Sequence, residues 1–275
     1  MIRVLGLLAL GAMAWGQALS DADAAALIEK AREKALAYTR SLPDFVCTEV
    51  VHRYVERDPQ TIRGLLGAGM SMNTAPAAIR WTPADKLTIK LSYFQQQEDH
   101  KLVLVNDQPT EQKYEALPGG VESGEFGGSL AGIFEPATAT SFHWEIWKNV
   151  RRHRTAVYRY EVDEAHSRYE VASGNPEGIR RAIVRFSGVL EIDRETGEVV
   201  HFTYVADGIP KGLHLDSVST AVEYDFADIA GRDYLLPSHC ETEIHSPKLS
   251  VRNVMDFREY RKFSADSSVE FGTPK

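Results

Sequence analysis

The chain has 275 residues and a net charge of −8, with an isoelectric point near 5.6. That balance excludes a general binder of nucleic acid or of anionic membrane, because affinity for phosphates comes from clustered Lys and Arg. The densest basic run, Arg151, Arg152 and Arg154, is too short for such a role and reads as a solvated turn or strand face.

Residues 1–18 read as an export signal. Arg3 precedes an uncharged run from Val4 to Ala14, shorter than the roughly 20 apolar residues that a membrane-spanning helix needs. Small residues at Ala12, Ala14 and Gly16 place cleavage between Ala14 and Leu19, and no Cys lies there to take a lipid. No second run of spanning length follows, so the expected product has no integral membrane span and works in the periplasm or outside the cell. About 255 residues remain, 19–275, enough for one large β-rich domain. An oxidising compartment would allow Cys47 and Cys240 to pair, closing a ring worth about 5 kcal/mol in chain entropy. Two buried thiols are the alternative, and the sequence leaves both open.

The mature chain opens with a helix. Ser20 is its cap candidate, Asp21 and Asp23 suit the first turn, and Ala24, Leu27, Ile28, Ala31, Ala35 and Tyr38 form one apolar stripe. Glu29, Lys30, Glu33 and Lys34 occupy the other face, and Pro43 ends the helix. A helix with this one-sided pattern needs a sheet to bury against.

After Pro43 the period changes to two. Val46, Thr48, Val50 and Tyr54 alternate with more polar neighbours; Leu87, Ile89, Leu91 and Tyr93 do the same; Val218, Thr220, Val222, Tyr224 and Phe226 give the cleanest case. Hairpin turns are expected at Asn106–Pro109, Asp193–Gly197 and Ala230–Asp233, so consecutive strands run antiparallel. Two stretches, Thr61–Pro83 and Pro118–Gly132, are rich in Gly and small residues and read as loops, the second with a short helical turn at Ser129–Ile133.

No phosphate-binding loop, dinucleotide fingerprint, zinc-protease helix or cysteine knuckle occurs. The run Gly127-Gly128-Ser129-Leu130-Ala131-Gly132 misses the nucleophile-elbow spacing by one residue and lacks a preceding strand, so no catalytic residue is assigned. Asp163 and Glu164 are adjacent and, in a strand, face opposite ways. His239, Glu241, Glu243 and His245 share one strand face, but the row is about 20 Å long and cannot hold one ion. A solvent-facing polar strand opposite Cys240, Thr242 and Ile244 accounts for it. No metal or other cofactor is expected.

Aromatic residues gather in the middle of the chain: Phe142, Trp144 and Trp147, then Tyr158 and Tyr160, then Phe202 and Tyr204. They are either core or the lining of an apolar cavity. Trp144, Tyr158, Tyr160, Phe202 and Tyr204 are the candidate ligand-binding set.

The segments Tyr38–Tyr54, Gly124–Pro136, Phe142–Val162, Glu191–Val200, Tyr224–Pro237 and Phe257–Phe263 resemble a family of uncharacterised exported bacterial proteins. The order of a leading helix and a long antiparallel meander, with an ID-x-x-TG hairpin and a YLLP strand, is similar to the lipoprotein-carrier (LolA/LolB/RseB-like) half-barrel. The resemblance implies an α+β, mostly β fold, a curved antiparallel sheet cupping the N-terminal helix, with a cavity able to hold acyl chains; it transfers no catalytic residue.

Three functions follow as expectations. The first is a non-catalytic periplasmic carrier or sensor of a lipid or lipoprotein. The second is an interaction module of the cell envelope, with envelope proteins as partners. The third is a hydrolase or metal enzyme built on His239 and its neighbours, which nothing in the sequence demands.

Overall fold

The computed structural model describes residues 19–57, 80–114, 117, 125–150, 153–175, 178–247 and 249–263. The export signal, most of the Thr61–Pro83 loop, the first part of the glycine-rich loop (118–124), and Arg151 with Arg152 lie outside the described residues.

Helix α1 spans Asp21–Ser41, and Ser20 caps it by accepting the Asp23 N–H at 3.1 Å. The buried residues of its stripe are Leu27, Ile28, Ala31 and Ala35. The two small ones let the backbone approach the sheet, and each of the two large ones contributes about 1.5–3 kcal/mol by burial. A second helix, α2, spans Gly128–Phe134 and contains the helical turn expected at Ser129–Ile133.

Among the described residues thirteen strands occur, in chain order: β1 Phe45–Arg57, β2 Thr82–Phe94, β3 Gln97–Val105, β4 Gln108–Pro109, β5 Ser141–Val150, β6 His153–Val162, β7 Glu170–Asn175, β8 Gly178–Ile183, β9 Arg185–Asp193, β10 Val199–Asp207, β11 Ser217–Ile229, β12 Arg232–His245 and β13 Leu249–Lys262. Eleven of them form one antiparallel sheet in the order β4-β3-β2-β1-β13-β12-β11-β10-β9-β6-β5, and β7 with β8 forms a separate hairpin. The sheet is large, curved and unclosed, with α1 on its inner side. The fold is therefore mostly β, as expected from the period-two patterning.

The three expected hairpins are present. Asn106 and Asp107 (φ 50° and 62°) join β3 to β4, Ala230 and Gly231 (φ 56° and 84°) join β11 to β12, and Asp193–Gly197 joins β9 to β10. Such positive values match the right-handed twist of the flanking strands.

The inner face is read by following one cross-strand row. Leu87, Val51, Met255, Cys240, Val222, Phe202, Leu190 and Tyr158 are register neighbours on successive strands, and all are buried. Gly188 sits one row further along, where a Cβ would stand 1.8 Å from Thr203 O and 3.0 Å from the Tyr160 ring, so no larger residue fits.

Strand order decides between the two alternatives left open for the cysteines, and one expectation is corrected. Cys47 and Cys240 are buried and not joined in a disulfide. Strand β13 lies between theirs, and Cys240 is level with Val51, four residues from Cys47. The two Cα atoms are thus about 16 Å apart from strand spacing and rise, against an upper limit near 7 Å for a bridge. In β1 the face toward the helix is Phe45, Cys47, Glu49, Val51 and Arg53, one residue out of step with the alternation expected from Val46 and Val50. Both polar members of that face are paired: Glu49 with His100 at 3.1 Å, and Arg53 with Asp85 through two hydrogen bonds, so they are accommodated on the inner face.

Candidate functional site

The strand pair at the free end of the sheet, β5 and β6, is stacked with aromatic side chains. Trp144 stands opposite Tyr158, and Phe142 opposite Tyr160. A bulge between Trp144 and Ile146 shifts the register. Residues three apart would otherwise face opposite ways, but both Trp144 and Trp147 pack against the inner core, while Ile146 is 60% exposed. Phe142 in turn stacks on Phe134 of α2, with ring centres 5.4 Å apart.

The first half of α1 lies across this tier. Tyr158 donates its hydroxyl to Ala24 O at 3.1 Å, and burial pushes its pKa up to about 12, which keeps the donor protonated. Lys30 reaches the Glu195 carbonyl of the β9–β10 turn, and Arg32 Nη1 donates to Phe134 O at 2.7 Å. These bonds hold α1 at both flanks and leave a hollow between it and the sheet edge.

That hollow has a volume of about 520 Å³, within the usual range for small-molecule sites. Phe142, Trp144 and Tyr158 make its sheet wall, and Ala24 and Ile28 its helix wall; Asp21, Glu29, Arg32 and His143 are the charged and polar lining residues. Trp144 Nε1 is shielded from solvent and has no hydrogen-bond partner. A buried donor in that condition is costly and rare in folded proteins.

The five aromatic residues singled out in the sequence divide. Trp144 and Tyr158 line the hollow. Tyr160, Phe202 and Tyr204 are buried in the core: the Tyr160 hydroxyl donates to Thr203 O at 2.9 Å, Phe202 stacks with Tyr204 at 6.0 Å, and Tyr204 meets the Tyr169 edge at 5.1 Å. Phe142 was among the aromatic residues weighed as cavity lining but not in the candidate set, and the contributions of Ile28 and Arg32 were not foreseen. Only the helical stripe and the cluster around Trp144, read together, point to them.

Two smaller hollows, of about 230 and 290 Å³, share Glu198, Phe226 and Leu235. They lie where β10 and β11 part, since the two strands pair only over His201–Val205 and Ser219–Glu223. In the first of them Glu191 has its pKa lowered to about 2, chiefly by His201 and also by Lys148, against the opposing effect of burial. His201 Nδ1 is 3.4 Å from Glu191, within ion-pair range but off hydrogen-bond alignment.

The row His239, Glu241, Glu243 and His245 is on one face of β12, with Cys240 and Thr242 buried behind it. Each member is paired: His239 with Asp256 at 2.9 Å, Glu241 and Glu243 with Arg252, and His245 with Glu243 at 3.2 Å and Ser250 at 3.0 Å. Among the described residues no group of three or more His, Cys, Asp or Glu could hold a metal ion. Ser129 is on α2, and among the described residues no hydrogen bond to its hydroxyl occurs. Asp163 accepts backbone bonds from His166 and Ser167 in the turn after β6. Arg154 lies over Trp147 at 4.5 Å. No described helix is long and apolar enough to cross a membrane.

No family model and no curated protein matches the chain. Solved structures similar to it include a LolA superfamily protein from Nitrosomonas europaea, at 10% identity over 88% of this chain and 94% of that one, with a TM-score of 0.35. A DUF1329 family protein from Desulfovibrio piger is similar at 10% identity over 88% and 95%, with a TM-score of 0.38. A domain named as an outer membrane lipoprotein-sorting protein, from Vibrio parahaemolyticus, is similar at 11% identity over 88% and 93%, with a TM-score of 0.36. They include the lipoprotein-carrier class to which the sequence was likened, and at these scores they bear on neither ligand nor role.

Proposed function

We propose that this chain is an exported, non-catalytic binding protein that carries or senses an apolar ligand of the acyl-lipid class, held between α1 and the β5–β6 edge of the sheet. The observation that supports this reading is the hollow of about 520 Å³ walled by Phe142, Trp144, Tyr158 and Ile28. Three aromatic rings and Ile28 give it an apolar side, Asp21, Glu29, Arg32 and His143 give it a polar one, and its two walls are separate elements of the fold. Residues 1–18 supply the export signal, and the periplasm is the proposed compartment.

Native mass spectrometry of the protein purified from the periplasm, followed by organic extraction, tests the reading. Co-purifying acyl lipid in near-stoichiometric amount is expected. A clean apo mass, with no lipid taken up on incubation, sinks it.

A second reading, an envelope interaction module, draws on the β7–β8 hairpin, where Ile179 is 67% and Ile183 41% exposed. Two exposed isoleucines are a smaller patch than a stable interface needs, so the first reading is preferred.

A further inference from the structure

The sheet has two open edges, and the fold treats them differently. At one, β3 is covered only at Leu104 and Val105, by the two residues of β4, one of which is Pro109. The uncovered part begins Gln97-Glu98-Asp99-His100-Lys101; charges and a proline are the usual guards against pairing with another chain. At the other edge β5 runs for ten residues, and among the described residues only β6 pairs with it. Five of the ten are large and apolar: Phe142, Trp144, Ile146, Trp147 and Val150. No proline interrupts them, and Ile146 is 60% exposed. A long apolar edge of this kind is a template for a further strand.

The strand also carries its own complement. Glu145 and Lys148 both lie on the outer face, where they meet Arg159 at 2.6 Å and Glu191 at 2.7 Å, so neither is turned over the edge to block it. Laid antiparallel against a second copy of itself, β5 has one register in which each Glu145 stands opposite the partner's Lys148. That register also sets Trp144 opposite Asn149 and His143 opposite Val150, and it repeats about a two-fold axis, the commonest symmetry of homodimers. A slip of one residue in either direction loses both charge pairs. The bulge between Trp144 and Ile146 interrupts the edge once and leaves Ser141–Trp144 and Ile146–Val150 in step with β6 on either side.

We propose that β5 is a self-recognition edge, through which two copies of this chain join antiparallel into one continuous sheet, each Glu145 facing the partner's Lys148. The interface is independent of what the hollow beside α1 holds, although it lays the partner's strand alongside His143 and Trp144, two residues of that hollow's lining.

Sedimentation equilibrium of the mature protein over a range of concentrations tests this. The unaltered protein is expected to associate to a dimer. Glu145→Lys and Lys148→Glu each set like charges opposite one another at both positions and should weaken the dimer about tenfold. Mixed in equal amounts, the two variants face opposite charges at both positions again and should form a heterodimer as tight as the unaltered dimer. Mixing changes neither variant's own fold, so a loss of stability in either cannot imitate that recovery. Ile146→Lys, at an exposed position that the fold tolerates, should weaken association as well. A monomer at every concentration, association as strong in either charge variant as in the unaltered protein, no recovery on mixing, or a dimer that survives Ile146→Lys overturns the proposal.

Discussion

His100 on β3 is held between two carboxylates, with Nδ1 3.1 Å from Glu49 and Nε2 3.4 Å from Glu98, and its ring stacked on Tyr114. Burial pulls its pKa down, but the hydrogen bonds it donates to Glu49 and Glu98, with the attraction of their charges, outweigh that and raise it to about 10. The folded value lies above the ordinary 6.5, so this stabilisation is complete below pH 6.5 and is lost as pH rises through 10. Thermal melts between pH 6.5 and pH 10.5 should therefore show a fall in Tm on the order of 10 °C traceable to this group. His100→Gln should start from a lower Tm and show a flatter profile; an unchanged slope would mean that the cluster titrates elsewhere. Little of this cluster was legible beforehand. Glu49 looks like any polar residue of an amphipathic strand, and its partners lie 49 and 51 positions away on another strand. Trp144 was legible as a site candidate because large aromatics are conspicuous, whereas its unpaired nitrogen is a property of the packing alone.

At the scale of single elements, α1 is fastened by tyrosine hydroxyls as well as by its apolar stripe. Tyr158 donates to Ala24 O near its start, Tyr93 donates to Thr39 O at 3.1 Å near its end, and Tyr38 donates outward to Leu235 O at 2.8 Å. The Thr39 carbonyl is one of the last four of the helix and has no partner within it. Tyr93→Phe should therefore cost about 1 kcal/mol and speed amide hydrogen exchange in the last turn of α1 more than in the first. Equal acceleration along the helix would argue against a local fastening. The cap at Ser20, the acidic first turn and the stripe were all readable, because helix signals are local. The turn at Gln95 and Gln96 was not: both residues have positive φ (51° and 63°) without the Gly or Asn that usually marks such a hairpin. The separate β7–β8 hairpin also escaped notice, since its strands are short and largely exposed.

For the molecule as a whole, the fold class was legible because one signal, period-two patterning, repeats over most of the chain. The pairing of the cysteines was not, since it depends on which strands become neighbours. With β13 between them, Cys47 and Cys240 are expected to behave as two isolated thiols. The Cys47 thiol is pushed well up by burial, which leaves little reactive thiolate. A reductant should leave Tm unchanged, and a thiol reagent should titrate two groups only after unfolding; rapid modification of the native protein, or a Tm that drops on reduction, would contradict this arrangement.

The partnership of β1 with β13, which runs from Phe45 against Lys262 to Arg57 against Leu249, brings the first and last described strands together in the middle of the sheet. A nascent chain that has not yet released residues 249–262 leaves β1 with an empty flank and the sheet in two unjoined parts. Contacts of such long sequence separation form late and slowly. The two parts of the sheet therefore stay separate until β13 docks on β1, which makes that docking the step that completes the core.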